Sequence, residues 1–422
     1  MAHGSLRVTS DGVSAAAAPA GLYIHIPFCV SLCPYCDFVV YAGAAARGAR
    51  SRITSFMDAL MVEVDLRADA LDAAFGEPGT AARPPLETVY LGGGTPSLLP
   101  ADEIDRLLAR VRERFGIEAA AEVSLETNPG PDERGDPRAL ARAGITRLSI
   151  GAQSMDPGEL RRLGRRHRAE DVAAAVSGAR EAGIGSISVD LLYDVPDGSL
   201  ATWMASLDAV LALGPDHLSL YALTLDDPVA EGLTGSTGDH LPTTPGARRW
   251  RDRAIPDQDE DRAAGQYHHA VVTLEGAGFR GYEISNWARP GHESRHNLGY
   301  WQRRPCEALG PGAHAFDGAT RRWNAARLDG YLAALTPSAG GPPTLPPGGI
   351  EPLDQATAAA EAVILGLRLD TGVPLSSARV PPLAEAFGWA LAAELLDVTP
   401  DDRVVLTTRG RLLSNELFAR LV

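Results

Sequence analysis

The sequence of 422 residues contains no lysine, so all 39 of its lysine-plus-arginine cations are arginine. Without lysine the chain has no lysine to form a Schiff base with a carbonyl substrate or pyridoxal phosphate, and none for a Walker A loop. The arginines are outnumbered by 54 acidic residues, and the net charge is −15. An acidic chain of this kind is not expected to coat nucleic acid through its phosphates.

Long apolar runs are also missing, because no stretch reaches the roughly 18 consecutive apolar residues of a membrane-spanning helix. The segment 1–20 lacks the basic and apolar regions of a signal peptide and is predicted to be a flexible tail. Cysteine is scarce, and three of the four cysteines lie within eight residues. This spacing does not fit the disulfide framework of a secreted domain, so we predict a cytoplasmic protein.

Composition and periodicity indicate a globular α/β protein, with 45% hydrophobic and 22% charged residues. Short strand-like segments alternate with amphipathic segments whose apolar residues recur at helical spacing. The predicted strands are Gly21–Pro27, Thr88–Gly92, Ala121–Glu126, Ile145–Gly151, Ser186–Tyr193 and His217–Leu225, and the clearest predicted helices are Ala101–Phe115, Asp171–Ala182 and Trp203–Leu213. This alternation favours parallel strands joined by right-handed crossovers, hence an α/β barrel or part of one with its chemistry at the carboxyl ends of the strands. The near-continuous apolar strands favour a sheet covered on both faces by helices or side chains.

The alternation ends near residue 228, and the remaining chain divides into segments of different character. Residues 229–262 lack clear periodicity and are predicted to be an exposed insertion, while residues 263–335 resume a compact pattern and extend the barrel. The Pro/Gly-rich residues 336–352 are typical of a linker. Residues 353–422 predict a small helical domain whose last strand, glycine turn and helix are winged-helix-like. The barrel itself is assigned to 21–228.

The strongest chemical signal is Cys29-x-x-x-Cys33-x-x-Cys36, directly after the first strand. Three thiolates in one short loop can converge on a metal centre. Structural zinc usually has four ligands, and His25 is the only candidate nearby for a fourth. A [4Fe-4S] cluster held by three cysteines leaves one iron open to another ligand. The spacing favours the cluster, with structural zinc or redox thiols as alternatives. The distant Cys306 is predicted to be a small apolar residue.

Further candidates lie at or just beyond the ends of later strands. The turn Gly92–Thr95 would let a ligand approach the backbone closely, although its glycines could equally serve tight packing. Glu126, Gln153, Arg165 and Asp190 follow at successive strands. A carboxylate at the end of an apolar strand needs a partner, so an internal ion pair such as Arg165 with Asp190 is the alternative to a ligand site.

Taken together, these motifs resemble the radical S-adenosylmethionine (SAM) superfamily, and the wording YIHIPFC and CPYCDF resembles its coproporphyrinogen-oxidase-like family. The resemblance runs from about residue 21 to the C-terminus and omits 229–262. It implies a partial (β/α)6 barrel and a [4Fe-4S] cluster on Cys29, Cys33 and Cys36 that chelates SAM for cleavage to a 5′-deoxyadenosyl radical. By motif position, it implies a SAM site lined by Tyr23, Gly93, Gly94, Thr95, Glu126, Gln153, Arg165 and Asp190, with Thr224 as a weaker candidate.

Two subfamilies compete. Oxygen-independent coproporphyrinogen III dehydrogenases carry a further cysteine two residues after the third cluster cysteine, where this chain has Phe38, and a longer segment before the loop. The other subfamily comprises heme chaperones, which carry phenylalanine there and an H-N-x-x-Y-W signature, present here as 296–301. Resemblance to this subfamily implies that the chain binds a heme and delivers it to an unidentified acceptor protein. The heme iron would be ligated by His296, and the porphyrin ring would contact Tyr300 and Trp301.

The residues of this signature suit a porphyrin, because imidazole can ligate heme iron and aromatic rings offer it a flat apolar surface. Four local arginines could pair with the propionates, namely Arg289, Arg295, Arg303 and Arg304. By itself, a histidine beside aromatic residues is more often a hydrogen-bonded structural residue, and the arginines could form a solvated rim. His292 and His314 are secondary candidates for an axial ligand.

The sequence as a whole predicts a heme chaperone that carries a [4Fe-4S] cluster and SAM. The alternative is an oxygen-independent coproporphyrinogen III dehydrogenase or another radical SAM oxidoreductase. No nucleic-acid partner is expected, and any peripheral contact with a membrane would come through the acceptor.

Overall fold

The structure, a computed structural model, describes residues 16–48, 51–225, 228–337, 340–379 and 383–421. Most of the predicted tail therefore lies outside the described residues. Its last part, 16–20, runs beside the large sheet, where the backbone N–H of Ala17 donates to the carbonyl of Asp317 at 2.8 Å. The α/β class predicted from the sequence is confirmed.

The described strands, in chain order, are β1 (Gly21–Ile26), β2 (Phe28–Cys29), β3 (Tyr41–Ala42), β4 (Leu86–Gly93), β5 (Ile117–Thr127), β6 (Arg147–Gln153), β7 (Ser186–Tyr193), β8 (His217–Ala222), β9 (Arg280–Gly281), β10 (Asn286–Ala288), β11 (Cys306–Leu309), β12 (His314–Phe316), β13 (Thr320–Asn324), β14 (Gly348–Pro352), β15 (Val373–Pro374), β16 (Leu396–Val398) and β17 (Arg403–Leu406). The described α-helices are α1 (Ile53–Phe75), α2 (Ala101–Phe115), α3 (Pro137–Ala143), α4 (Pro157–Arg162), α5 (Ala169–Glu181), α6 (Leu200–Ala212), α7 (Pro245–Ala254), α8 (Glu260–Gly276), α9 (Arg295–Trp301), α10 (Leu328–Leu335), α11 (Gln355–Arg368), α12 (Leu383–Ala392), α13 (Thr408–Leu412) and α14 (Ser414–Phe418).

One large sheet organises the barrel, and its strand order is β14-β13-β12-β11-β1-β4-β5-β6-β7-β8-β10-β9. The six strands β1 and β4 to β8 overlap the six predicted strands and pair in parallel, as the alternation of strands and helices requires. On the other side of β1, β11 adds a further parallel strand. The sheet is open at β14 and β9, which agrees with the predicted partial barrel.

The two faces of these strands differ in chemistry. On β1 the alternate side chains Leu22, Ile24 and Ile26 are fully buried in the main hydrophobic core. The intervening Tyr23 and His25 point to the opposite, inner face, because side chains alternate along a strand. The apolar side chains of β1 are therefore covered by the helices. The inner face is polar, and it leads to the edge where the strand ends meet.

The later segments pack against this framework. The predicted insertion 229–262 contains α7, whose Trp250 lies 6.4 Å from the ring of Tyr35 in the cysteine loop. Part of the predicted linker 336–352 is the strand β14, which pairs with β13 along five residues and therefore belongs to the large sheet. The domain boundaries drawn from the sequence stay predictions.

The C-terminal segment has a core of its own. Helices α11 to α14 surround a three-stranded antiparallel sheet of β15, β17 and β16, and Leu367, Phe387 and Leu417 are buried between them. A mainly helical unit with a small sheet is consistent with the winged-helix-like prediction. Within the part of the chain that is described, no helix combines the length and the apolar character needed to cross a membrane.

Candidate functional site at the ends of the strands

The cysteine loop begins at the end of β2 and curls back on itself. The backbone N–H of Cys36 donates to the carbonyl of Cys33 at 3.1 Å, and all three thiols of the loop are partly exposed. The Sγ of Cys29 lies 3.1 Å from the Oγ1 of Thr95, and an Nη1 of Arg165 lies 3.6 Å from the Sγ of Cys33. The loop thus presents thiols to the polar edge of the barrel.

Burial is the main influence on these thiols. It raises the pKa of Cys29 to about 12, although the hydrogen bond from Thr95 and the charge of Arg165 act in the opposite direction. Burial also raises the pKa of Cys36, and the neighbouring thiols Cys33 and Cys29 raise it further. A positive metal centre would favour the thiolates, because it provides the charge that three closely spaced sulfurs need.

The donor set fits an iron–sulfur cluster better than zinc. His25 is not available as a fourth ligand, because its Nδ1 is hydrogen-bonded to the hydroxyl of Tyr23 at 2.9 Å and its Nε2 to the carbonyl of Val39 at 2.8 Å. Among the described residues, no group of three or more His, Cys, Asp or Glu side chains is close enough to hold a single metal ion. A [4Fe-4S] cluster does not require its three thiols to converge on one atom, because each thiol binds a different iron. The fourth iron then keeps an open coordination position.

An asparagine that the sequence analysis missed links the two ends of this loop. The Nδ2 of Asn128 donates to the Oγ1 of Thr95 at 3.0 Å, and its Oδ1 accepts from an Nη2 of Arg165 at 2.6 Å. Hydrogen bonds therefore run from Cys29 through Thr95, Asn128 and Arg165 to Cys33. Asn128 lies two residues beyond Glu126 at the end of β5, and this position is the signal that could have identified it.

Arg165 is held at the site by hydrogen bonds, but one of its N–H groups has no described acceptor. Its Nη2 also donates to the carbonyl of Gly151 at 2.6 Å, while its Nε is buried without a hydrogen-bond partner among the described residues. A buried N–H of a cation without an acceptor is costly. An anionic ligand at the strand ends would satisfy it, which fits the predicted SAM site.

Glu126 lies deeper in the same site. Its two carboxylate oxygens accept hydrogen bonds from the hydroxyl of Tyr90 and the backbone N–H of Gly93, both at 2.8 Å. Burial raises the pKa of Glu126 to about 7, although the two hydrogen bonds partly oppose this effect. The pKa of this carboxyl group therefore lies near neutral pH, and shifted pKa values of this kind are frequent at functional sites.

Asp190 is hydrogen-bonded by hydroxyl groups. Its oxygens accept from the hydroxyl of Ser149 at 3.0 Å and from that of Ser188 at 3.2 Å. Burial raises the pKa of Asp190, and the serine hydrogen bonds oppose that shift. No ion pair between Arg165 and Asp190 is found among the described side chains, so the structural alternative suggested by the sequence is not formed.

The glycine turn at the end of β4 is required by packing. A Cβ on Gly93, whose φ is +105°, would lie 2.3 Å from the imidazole of His25. A Cβ on Gly94 would lie 2.6 Å from the carbonyl oxygen of Phe28. Close packing of β4 on the start of the cysteine loop therefore accounts for both glycines, and it is this packing that brings Thr95 to Cys29.

The remaining SAM candidates differ in their placement. Gln153 ends β6 with φ at +67°, a left-handed conformation that costs a non-glycine residue roughly 1–3 kcal/mol and is frequent at functional sites. Tyr23 lies on the inner face, and its ring stacks 6.2 Å from that of Tyr90. Thr224 is exposed, and its described hydrogen bond goes to the carbonyl of Ala222, at 3.3 Å. The structure therefore does not strengthen the case for Thr224.

In the signature helix α9, His296 is buried and fully hydrogen-bonded. Its Nδ1 lies 2.8 Å from the Oγ1 of Thr88, its Nε2 lies 2.9 Å from the hydroxyl of Tyr300, and its ring stacks 5.1 Å from that of Tyr90. Burial lowers the pKa of His296 to about 3, so the ring is neutral. In this arrangement neither nitrogen is free to bind iron.

The aromatic residues of α9 have different surroundings. Tyr300 is 37% exposed and lines a cavity beside the cysteine loop. Trp301 packs beneath the guanidinium of Arg368, 4.3 Å from the ring centroid, and its Nε1 is buried without a hydrogen-bond partner among the described residues. Of the signature residues, Tyr300 is thus the one that a large ligand in the cavity could contact.

The nearby arginines are already engaged within the protein. Arg303 pairs with Glu361, and Arg304 with Glu87. The Nη2 of Arg295 lies 3.7 Å from a carboxylate oxygen of Glu87. The guanidinium of Arg289 lies 4.4 Å from the ring centroid of Phe279. The secondary candidate His292 contacts the hydroxyl of Ser186 at 3.2 Å. These contacts favour structural roles over the pairing with propionates considered for the arginines.

The cavity next to the cysteine loop has a volume of about 290 Å³. It lies between β1, the segment that follows the third cysteine, and the start of β12. It is lined by Tyr23, His25, Asp37, Phe38, Val39, Asp239, His240, Tyr300, Gly312 and His314. Phe38 is 62% exposed at its rim, and Cys306 is buried elsewhere in β11, as expected of a small apolar residue. The cavity thus brings two of the heme candidates from the sequence, Tyr300 and His314, beside Phe38.

Comparisons with known proteins agree with these features. The model of the radical SAM superfamily matches residues 23–210. The chain is 39% identical over 406 residues to the heme chaperone HemW of Mycobacterium tuberculosis, covering 96% of this chain and 95% of that protein. It is 34% identical to the heme chaperone HemW of Synechocystis over 84% of this chain and 79% of that protein. A solved structure, coproporphyrinogen III oxidase HemN from Escherichia coli, is similar in fold, with a TM-score of 0.74, 23% identity and coverage of 96% of this chain and 90% of that one.

Proposed function

Because the chain belongs to the HemW family of the radical SAM superfamily, we propose that it is a heme chaperone, which binds heme and transfers it to an acceptor protein. The observation that carries this proposal is the 39% identity to a heme chaperone over 96% of the chain, which spans the barrel, the signature helix and the C-terminal segment alike.

Cys29, Cys33 and Cys36 hold a [4Fe-4S] cluster in this proposal. When bound, the cluster would provide an iron with an open coordination position and the electron that reduces SAM. The chain's own contribution is to orient the loop. Thr95 contacts the first cysteine and Arg165 the second, and Asn128 joins the two.

SAM is proposed to lie along the strand ends, against Tyr23, Gly93, Gly94, Thr95, Glu126, Gln153, Arg165 and Asp190. The charges there suit an amino acid with a sulfonium group. Glu126 and Asp190 favour positive charge, and the unpaired Nε of Arg165 favours a carboxylate.

The signature residues His296, Tyr300 and Trp301 are proposed to form part of the heme site. Tyr300 would contact the porphyrin from the cavity, and His296 holds Tyr300 by a hydrogen bond of 2.9 Å. Ligation of heme iron by His296, as the resemblance implies, stays a prediction. It requires the hydroxyl of Tyr300 to leave Nε2 first.

The porphyrinogen dehydrogenase alternative has no observation in its favour. Phe38 stands where that subfamily carries an additional cysteine, and it is exposed at the rim of the cavity. The similarity to coproporphyrinogen III oxidase, at 23% identity, shows the fold. The acceptor is proposed to be a protein that receives heme, and the cytoplasmic location stays a prediction.

The two functions can be separated in one experiment. The protein is reconstituted anaerobically with iron and sulfide, supplied with SAM and a reductant, and given either heme or coproporphyrinogen III. We expect saturable binding of heme, read by absorbance, and no decarboxylated porphyrinogen. Consumption of the porphyrinogen with formation of 5′-deoxyadenosine, and no specific heme binding, would contradict the proposal.

A further inference from the structure

The cavity beside the cysteine loop contains an arrangement of two histidines on one aspartate that no signature motif includes. The Nδ1 of His240 lies 3.0 Å from the Oδ1 of Asp239, and the Nε2 of His314 lies 2.9 Å from its Oδ2. His240 and Asp239 come from the 229–262 segment, and His314 begins β12. The fold thus brings distant parts of the chain together around one carboxylate.

This aspartate is well suited to orient an imidazole. Histidines that bind a metal usually donate their second ring N–H to a carboxylate, which fixes the ring and makes the free nitrogen a better ligand. With Nδ1 of His240 engaged by Asp239, the nitrogen left over is Nε2, and no described hydrogen bond uses it. His25, the other imidazole of the cavity wall, has both nitrogens engaged.

The surrounding backbone keeps this arrangement in place. Gly312 has φ at +77°, and a Cβ there would lie 2.5 Å from Val39 and 3.1 Å from the carbonyl oxygen of Asp239. The segment before Asp239 is also tied to the sheet, because the backbone N–H of Ala326 donates to the carbonyl of Gly238 at 2.8 Å. Only glycine allows the turn before β12 to approach Asp239 so closely.

A buried glutamate supports the same turn from behind. Glu63 is fully buried in α1 and accepts a hydrogen bond of 2.8 Å from the backbone N–H of Gly310. Its other oxygen accepts from the Nδ2 of Asn324 at 2.7 Å, and that amide also donates to the carbonyl of Gly310 at 2.9 Å. The turn that carries His314 is therefore positioned by the core of the barrel.

We propose that His240, in place of His296, is the axial ligand of the heme iron, through Nε2, and that Asp239 and His314 are positioning residues for it. The inference rests on the proposed function and names the ligand within it. A single axial ligand is enough for heme, because the porphyrin provides the other nitrogens. A metal ion without a porphyrin would need more protein ligands. Among the described residues, no three His, Cys, Asp or Glu side chains lie close enough together to hold one.

The chemistry of the cavity agrees with a heme at this position. Phe38 and Tyr300 offer aromatic surface to the macrocycle, and both are exposed at the cavity. Asp37 and Asp239 make the interior unfavourable for the propionates, so these groups face solvent. The cavity, at about 290 Å³, encloses only part of a porphyrin. Partial enclosure suits a protein that must release its heme to an acceptor.

The test uses the full-length, cluster-loaded protein and hemin as the probe. Affinity is measured by absorbance titration, and the axial ligand is identified by electron paramagnetic resonance of the ferric complex. The variants are His240→Ala, His314→Ala, Asp239→Asn and His296→Ala. His268→Ala is the matched control, because this exposed histidine lies in α8 and does not line the cavity.

We expect His240→Ala to weaken heme binding by about tenfold or more and to lose the imidazole-ligand signature, which added imidazole should restore. Asp239→Asn and His314→Ala should retain the histidine signature but weaken binding, within the roughly 10- to 100-fold range known for groups that orient a ligand. His296→Ala, with folding and iron content verified, should retain the signature.

If His240→Ala binds heme like wild type and His296→Ala loses the imidazole signature, the ligand assignment is wrong while the proposed function stands. If the wild-type protein binds no heme at all, the proposed function itself is wrong. Iron content and circular dichroism of each variant distinguish a lost ligand from a lost fold.

Discussion

The strand-end site, formed by the cysteine loop with Thr95, Asn128 and Arg165, differs from His296 of the signature helix α9 in how completely its polar groups are hydrogen-bonded. At the strand ends, three thiols are partly exposed and Arg165 has a buried N–H without an acceptor. In α9, His296 makes two hydrogen bonds and stacks on Tyr90. The strand-end site therefore has polar groups available for a ligand, while both ring nitrogens of His296 are already hydrogen-bonded within the protein. A signature motif can contain residues that bind and residues that hold the binding residues in place.

The largest effect is expected from removing the three thiols together, as Cys29→Ser, Cys33→Ser and Cys36→Ser. Serine is a far poorer ligand for iron than a thiolate, so the reconstituted variant should contain essentially no iron and no visible cluster absorbance. Iron and sulfide analysis checks this result, with Cys306→Ser as the matched control. A variant that retained a full complement of iron would show that the cluster is held elsewhere.

A second large effect is expected on stability when the hydrogen-bonded ring of His296 is removed. His296→Ala removes a buried ring and leaves Thr88 and Tyr300 without their partner, so the free energy of unfolding should fall by about 2–4 kcal/mol. Urea denaturation measures the change. The control His240→Ala removes a partly exposed ring and should cost less than about 1 kcal/mol. Equal costs for the two variants would contradict the distinction between the regions.

A smaller effect is expected from the charge of Glu126 in the cofactor-free protein. Burial raises the pKa of Glu126 from its ordinary value of 4.5 to about 7. The folded protein therefore binds more protons than the unfolded one between these pH values, and wild-type stability falls as the pH rises through them. Relative to Glu126→Gln, the wild type should lose about 1–3 kcal/mol between pH 4.5 and pH 7.5. Denaturation of both proteins at these two pH values checks it, and a difference independent of pH would count against a buried, titrating Glu126.

The smallest effect concerns the contact of α7 with the cysteine loop. An Nη2 of Arg251 lies 3.4 Å from the carbonyl oxygen of Tyr35 and 3.3 Å from that of Cys36, and both contacts are long. Arg251→Ala should cost about 1 kcal/mol and speed the loss of iron to a chelator a few-fold. The exposed Arg248→Ala serves as control. Unchanged iron loss would separate α7 from the strand-end site.

The main architecture could be predicted from the sequence because it depends on local periodicity. The helix Ala101–Phe115 was predicted with the bounds of α2, and the strand Ser186–Tyr193 with those of β7. Asp190 was predicted as a site residue, but its partner Ser149 was missed, because Ser149 lies within a segment that has the composition of an apolar strand. Their hydroxyl and carboxyl groups pair with each other across the sheet, and only the register reveals this pairing.

The sequence predicted the site only where its residues lie close together in the chain. The cysteine loop was identifiable because its three thiols lie within eight residues. Asp239 and His314 are far apart in the sequence, and nothing local indicates that they meet. The segment 229–262 was predicted to be an exposed insertion because its many small and charged residues mask the periodicity of α7. Its contacts with the loop and with β12 depend on long-range packing that composition does not encode.

The most direct measurement is to load this protein with heme and then to follow the transfer of that heme to an acceptor protein. The cluster-containing protein is titrated with heme, freed of excess, and mixed with an apo-form heme protein while absorbance follows both partners. We expect saturation at about one heme per chain, followed by transfer that leaves the donor heme-free and able to bind again. Heme uptake without saturation, or a bound heme that no acceptor can remove, would contradict it.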